Sequence, residues 1–249
     1  MHTERLWEID SLRGIAIILM IVSNLVTDVA FFGILEVEGF SGFWMYFARL
    51  VVSVFILLAG VSLTLSYSRV REKKHHEIRR KYLLRGGKIF GLGMLITLVT
   101  WFFLGNNLIL FGILHLIGFS IIAGHFLLKK RRLNLILGLA FISAGLLLQS
   151  FAFDFPWLVW LGLRLENYYT VDYVPVLPWF GVFLIGMFLG ATLYPQGKSR
   201  FKLPGLSKNR LLSPLRFLGR NSLLIYLIHQ PILIAILLLL FPFPNGFPL

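Results

Sequence analysis

The chain has 249 residues, of which 57% are hydrophobic and 14% charged, and its formal net charge is +13. This composition excludes an ordinary soluble globular protein and predicts a polytopic membrane protein. The basic residues lie in short segments between apolar runs, a pattern that reports membrane orientation and argues against a nucleic-acid partner. Because the chain contains no cysteine, a disulfide, a thiolate metal site and a cysteine nucleophile are also excluded.

Seven apolar runs are long enough to form membrane helices. We therefore predict an all-α bundle of about seven transmembrane helices that forms one domain over residues 1–249, multi-pass in the cell membrane. The aromatic-rich segment 154–174 is predicted to lie in the outer membrane interface. The predicted spans are residues 11–29, 43–67, 89–104, 108–128, 133–151, 176–193 and 218–241.

The distribution of basic residues predicts the orientation of these spans. Residues 69–88 contain nine Lys and Arg residues, and only Arg49 and Arg164 fall on the side of the odd-numbered loops. Basic loops are retained in the cytoplasm. A cytoplasmic N-terminus and an outer C-terminus therefore agree with the charge of every loop.

The first predicted span carries polar residues that lipid excludes. Arg13 and Asn24 are eleven residues apart, which places them on one helical stripe about 16 Å apart along the axis. Asp28 lies one turn further, where a carboxylate must point into protein or a wet cavity. We interpret the stripe as the wall of a polar cleft. Asp10 lies three residues before Arg13, the spacing of a helical ion pair. Arg49, in the second predicted span, is expected to extend outward to the membrane surface, and an ion pair with Asp28 is the alternative.

Two histidines are candidates for acid–base chemistry. His229 lies about ten residues into the last predicted span, on the same face as Ser222. Pro231 cannot donate to the carbonyl of Leu227, which leaves that oxygen available to a cavity. An imidazole at this depth can act as a general base or can bridge helices. His115, within FGILHLIG, is the second candidate, and function and packing are equally open there.

Arg13 and Arg220 are candidates for binding an anion. Each lies near the cytoplasmic end of a predicted helix, where a guanidinium could hold the phosphates of a cytosolic nucleotide. Asn221 and Ser222 directly follow Arg220 and are grouped with it as binding residues. We predict no metal site, because the pair His75-His76 has no further ligand at suitable spacing.

Four motifs resemble a known family. WEIDSLRGIAIILMIVSN resembles the first helix of the heparan-α-glucosaminide N-acetyltransferase family, and FGILHLIG, DYVPVLPWFGVFLIGMFLG and GRNSLLIYLIHQP are similar to later signatures of its prokaryotic relatives. The resemblance implies a transmembrane acyltransferase that moves an acetyl or acyl group from cytosolic acyl-CoA to a hydroxyl or amine. The expected acceptor is a saccharide or a lipid-linked molecule, and the resemblance gives Arg13 a contact with the CoA phosphates.

The sequence departs from the family pattern at the expected base. Related membrane O-acyltransferases place a histidine eleven residues after the arginine, where this chain has Asn24. The glucosaminide acetyltransferases have asparagine there and a histidine in the following segment, but this chain has no histidine between His2 and His75. The base would then come from His115, His229 or Asp28, and Asn24 could donate to the developing oxyanion. Larger family members have more spans, so a second subunit of a homo-oligomer could complete the acceptor site.

A non-enzymatic membrane transporter or lipid-binding protein with a polar intramembrane cleft is the competing prediction. An odd number of spans and the lack of paired, broken helices argue against a carrier. A retinal protein is disfavoured because the last predicted helix has no lysine for a Schiff base.

Single cysteines introduced at positions 75 and 168 of this cysteine-free chain test the orientation. Position 75 lies in a predicted cytoplasmic loop and position 168 in a predicted outer segment. An impermeant thiol reagent added from outside should label only position 168, and position 75 should react after the membrane is permeabilised. Equal access to both positions from one side contradicts the seven-span arrangement.

Overall fold

The computed structural model describes residues 6–34, 42–104, 108–151, 153, 156–163, 172–201 and 209–241. Parts of the predicted interfacial segment, residues 154–155 and 164–171, lie outside the described residues. The regular secondary structure in the described ranges is helical throughout. The α-helices are α1 (Trp7–Phe31), α2 (Gly42–Ser68), α3 (His75–Leu104), α4 (Ile113–Gly124), α5 (Arg131–Leu148), α6 (Val176–Leu193), α7 (Ser213–Arg220) and α8 (Ser222–Leu240).

Six of these helices, α1, α2, α3, α5, α6 and α8, are long and apolar enough to cross a membrane. The predicted all-α polytopic architecture is thereby confirmed. The fourth predicted span differs, because α4 has 12 residues and continues only through the 3-10 turn His125–Leu127. Gly112 has extended backbone at φ −94° and ψ −173°, so helix begins five residues later than the apolar run does.

The last predicted span also differs, because it is broken near its start. α7 ends at Arg220, and Asn221 has φ −100° and ψ 16° before α8 begins at Ser222. The Asn221 amide donates to the carbonyl of Phe217 at 2.9 Å, which satisfies one of the carbonyls at the end of α7. The junction therefore separates a short basic helix from a long apolar one.

The chain divides into two compact units, Met1–Phe55 with Lys202–Leu249 and Ile56–Phe201. In the first unit, α1 packs against α7 and α8. A Cβ at Gly14 would overlap the carbonyl oxygen of Leu215, and one at Gly219 would overlap that of Asp10. The α1 and α7 backbones are therefore in direct contact, as small residues permit in membrane helices. Ile17, Met20 and Val51 form the buried apolar cluster of this unit.

In the second unit, α3 runs antiparallel to α4 and α5 runs antiparallel to α6. Gly86 of α3 faces Gly118 of α4, and Gly138 of α5 faces Gly181 of α6. Gly186 of α6 contacts the backbone of α2 in the same way. Close backbone approach at glycines replaces the hydrophobic effect as the source of helix association in lipid, because apolar side chains gain little by leaving lipid.

Adjacent glycines on α3 give a matched test of this packing. A Cβ at Gly86 would meet Ile122 Cγ1 at 2.6 Å and the Gly118 carbonyl oxygen at 2.8 Å, whereas a Cβ at Gly87 would meet nothing within 4 Å. Both changes to alanine improve helix propensity by about 1 kcal/mol, but overpacking costs roughly 1–3 kcal/mol. Gly86→Ala should lower the thermal unfolding midpoint in detergent, and Gly87→Ala should leave it unchanged or raise it. Equal midpoints for the two variants contradict the packing described here.

Candidate functional site

Two polar contacts join α1 to α8. Asn24 Nδ2 lies 2.6 Å from Nε2 of His229, and one turn further along α1 the Gln230 amide donates to Asp28 Oδ1 at 2.6 Å. His229 is 7% exposed and Asp28 is 6% exposed, so both side chains are held inside the first unit. The structure thus brings together three of the predicted site residues.

The hydrogen bonds of His229 define its tautomer. Nδ1 lies 2.6 Å from the carbonyl oxygen of Tyr226, which can only accept, so Nδ1 carries the proton. In a neutral imidazole Nε2 is then an acceptor, and the Asn24 amide nitrogen faces it as the donor. The opposite orientation of the amide would require an imidazolium that donates from both nitrogens. With the amide in this orientation, the contacts fit a neutral histidine whose basic nitrogen accepts from Asn24.

The carboxylate of Asp28 is only partly satisfied. Oδ1 accepts from Gln230, while Oδ2 is buried and has no hydrogen-bond partner in the described part of the chain. Arg49 is exposed, and no ion pair joins it to Asp28 within the described residues. The exposed Arg49 agrees with the expectation that this side chain extends outward, and Asp28 is bound instead by a neutral amide from α8.

The candidate anion-binding residues lie where α1 meets α7. Arg220 Nε donates to Asp10 Oδ2 at 3.3 Å, and its side chain remains 49% exposed. Asp10 therefore pairs across helices with Arg220, because Gly219 brings α7 against the Asp10 backbone. Arg13 lies on α1 one turn from Asp10, beside Gly14, the other residue of α1 that contacts α7. Asn221 and Ser222 lie at the junction that follows Arg220.

His115 belongs to the second unit, where both of its ring nitrogens are engaged. The Gly112 backbone N–H donates to Nδ1 at 3.2 Å, so the proton lies on Nε2, which faces Thr97 Oγ1 at 3.3 Å. The Thr97 hydroxyl in turn donates to the carbonyl of Ile109 at 2.6 Å. His115 is 2% exposed, and its contacts tie the start of α4 to α3. This geometry favours the packing interpretation of His115, and its catalytic role stays a prediction.

Gln230 is the residue of this site that sequence reasoning passed over. It stands between His229 and Pro231, and the available signal was a second intramembrane polar side chain next to the candidate base. Its partner could not be found from one helix alone, because that requires the register of α8 against α1. Over the described ranges, no group of three or more His, Asp or Glu residues is placed to hold a metal ion.

Comparison with known proteins identifies the family. A family model described as heparan-alpha-glucosaminide N-acetyltransferase, catalytic, matches residues 5–231. No curated protein and no solved structure matches the chain. The matched range covers almost the whole chain and includes all the candidate site residues and the four motifs, which confirms the resemblance. The chain therefore belongs to the heparan-α-glucosaminide N-acetyltransferase catalytic family.

Proposed function

We propose that the protein is an integral-membrane acyltransferase that moves an acetyl or acyl group from cytosolic acyl-CoA to a hydroxyl or amine of a saccharide or lipid-linked acceptor. The observation that carries this proposal is the contact between Asn24 and His229. It presents a neutral imidazole and an amide donor side by side inside a membrane protein of an acetyltransferase family. General-base catalysis of acyl transfer needs both kinds of group.

His229 acts as the general base in this proposal. The hydrogen bond from Nδ1 to Tyr226 leaves Nε2 as the basic nitrogen, and the acceptor hydroxyl or amine takes the place of Asn24 beside it. The acceptor oxygen or nitrogen attacks the thioester carbonyl carbon and forms a new bond, while Nε2 removes its proton. The C–S bond then breaks, and the imidazolium returns the proton to the departing CoA sulfur. The acceptor and acyl-CoA are the only reactants, and the acylated acceptor and free CoA are the products.

Asn24 changes partner during the same step. Its amide N–H caps the base in the resting protein and, once the acceptor displaces it, can donate to the oxygen of the tetrahedral intermediate. Asp28 and Gln230 support the arrangement from the next turn, because their hydrogen bond holds α8 in register against α1. We assign His115 a structural role, since its unprotonated nitrogen, Nδ1, accepts from the backbone N–H of Gly112 at the start of α4, whereas the basic nitrogen of His229 contacts a side chain that a substrate can displace.

The acyl donor binds at the other end of α1. A guanidinium that gives its Nε–H to Asp10 still has N–H donors for a phosphate, and the side chain of Arg220 is half exposed. Asn221 and Ser222 introduce α8, whose first backbone N–H groups have no acceptor within the helix and favour an anion. The pantetheine arm would follow α1 from Arg13 toward Asn24, about 16 Å along the axis.

Replacing the base tests the proposed chemistry. His229→Gln should lower the release of free CoA from acetyl-CoA in the presence of glucosaminide or lipid-linked sugar acceptors by roughly 10²–10⁴-fold, the usual contribution of a general base. His125→Gln is the matched control, because His125 Nδ1 also contacts the carbonyl three residues earlier in its own helix. Retained turnover in His229→Gln, with acetyl-CoA binding intact in both variants, rules out the assignment of the base.

Replacing a cation tests the donor site separately. Arg13→Ala should weaken acetyl-CoA binding about tenfold, measured by calorimetry on the purified protein, because a charge-assisted hydrogen bond is lost. Arg71→Ala, at an exposed position in the turn after α2, is the control and should bind as the parent does. If Arg13→Ala binds normally and substitutions in residues 69–88 abolish binding, the donor site lies elsewhere.

A further inference from the structure

A second polar cluster lies within the second unit, where α2 ends and α3 begins. Lys81 Nζ donates to Ser66 Oγ at 3.0 Å, and the Tyr82 hydroxyl donates to the same oxygen at 3.3 Å. The Lys81 ammonium also lies 5.3 Å from the centre of the Tyr82 ring, and Tyr82 is fully buried. The exposed Lys81 side chain, of a type that is usually mobile, is thus held by two contacts, one to α2 and one to its neighbour on α3.

The segment around this lysine carries an excess of cations, because residues 69–88 contain nine Lys and Arg residues and two acids, Glu72 and Glu77. Arg69, Lys73 and Arg85 each repel the Lys81 ammonium. Within the described residues no ion pair joins Arg69, Lys73 or Arg85 to an acid. Holding a flexible cation among other cations costs free energy, because the side chain loses entropy and the like charges repel one another. A bound anion would reduce this repulsion.

The 3-10 turn Pro195–Gly197 reaches the same end of α2. Gly197 has φ +79°, and a Cβ built there would overlap the Ser68 hydroxyl. The exposed Lys198 follows directly and adds another cation near this end of the helix. Three segments of the second unit therefore bring basic or hydroxyl side chains to one place.

We propose that Lys81, Ser66 and Tyr82, with the surrounding cations, form a binding site for the phosphate of an anionic membrane phospholipid. The ammonium supplies the charge, and the Ser66 hydroxyl, which accepts from both neighbours, keeps its own proton to donate to a phosphate oxygen. The site lies where two candidate membrane spans meet their basic connection, which is where headgroups of anionic lipids are found. It is independent of the proposed acyl transfer.

The ordinary excess of basic residues in cytoplasmic loops predicts a different result. A diffuse positive surface would lose the same affinity for anionic phospholipid whichever cation is removed. A specific site would instead depend mainly on Lys81, the cation that is held in place. Lys88, exposed on the same helix and carrying the same charge, provides the comparison.

Native mass spectrometry of the full-length protein from nanodiscs of phosphatidylcholine with added phosphatidylglycerol tests the proposal. Lys81→Gln should bind phosphatidylglycerol about tenfold more weakly than the parent, while Lys88→Gln should bind as the parent does. Tyr82→Phe, which keeps the buried ring and the charge, should give a smaller loss and guards against a folding defect in Lys81→Gln. Equal losses in Lys81→Gln and Lys88→Gln overturn the proposal.

A parallel titration with acetyl-CoA in neutral detergent separates the two sources of phosphate. Unchanged acetyl-CoA affinity in Lys81→Gln supports a lipid ligand. A tenfold loss of acetyl-CoA affinity, with phosphatidylglycerol binding unaffected, shows that the phosphate comes from a nucleotide and overturns the lipid proposal. Because the lipid measurement requires no turnover, failure of the acyltransferase proposal would leave its result intact.

Discussion

The hydrogen bond between Asn24 and His229 is the constraint on which the candidate site depends. Inside an apolar bundle an imidazole and an amide each need a partner, because an unsatisfied polar group has no water to replace it. By meeting each other they fix the rotation of α8 about its axis relative to α1. Gln230, the next residue, can then reach Asp28 one turn away. The need of each buried polar group for a hydrogen-bond partner therefore fixes how α8 is oriented against α1.

Glycine packing provides the complementary restraint on the same helix. The contacts of Gly14 and Gly219 set how closely α1 and α7 approach, and that distance allows Asp10 to reach Arg220. Polar contacts near the C-terminal end of α1 thus position His229, and backbone contacts near its N-terminal end position Arg220.

Hydropathy and charge predicted the helices well, because apolar runs of about 20 residues have few alternatives in lipid. They did not predict where α4 begins, since the start is set by the His115 ring accepting from Gly112, a contact that hydropathy does not register. They also missed the break at Asn221, because the predicted span 218–241 included the polar stretch from Arg220 to Ser222 in which α7 ends and α8 begins. The spacing of Asn24 and Asp28 correctly placed both on one face of α1, which contacts α8. The continuation of that face to Arg13 stays a prediction. The partners of that face required the register between helices, so the choice between Arg13 and Arg220 for Asp10, and between Arg49 and Gln230 for Asp28, could not be made from sequence.

The continuity of α1 has a consequence for the length of molecule that the site could process. Asp10, which holds Arg220, and Asn24, which holds His229, belong to one uninterrupted helix and are separated by about 21 Å along its axis. In the proposed reaction the phosphates bind Arg13 and Arg220, so they lie between about 16 and 21 Å along the axis from the reacting carbonyl, and the length of the helix restricts the length of the donor. A single residue inserted between the two positions would lengthen this distance by about 1.5 Å and rotate one end of the helix by about 100° relative to the other. Asp10 and Asn24 would then face different directions, and a donor could not contact the residues at both ends at once.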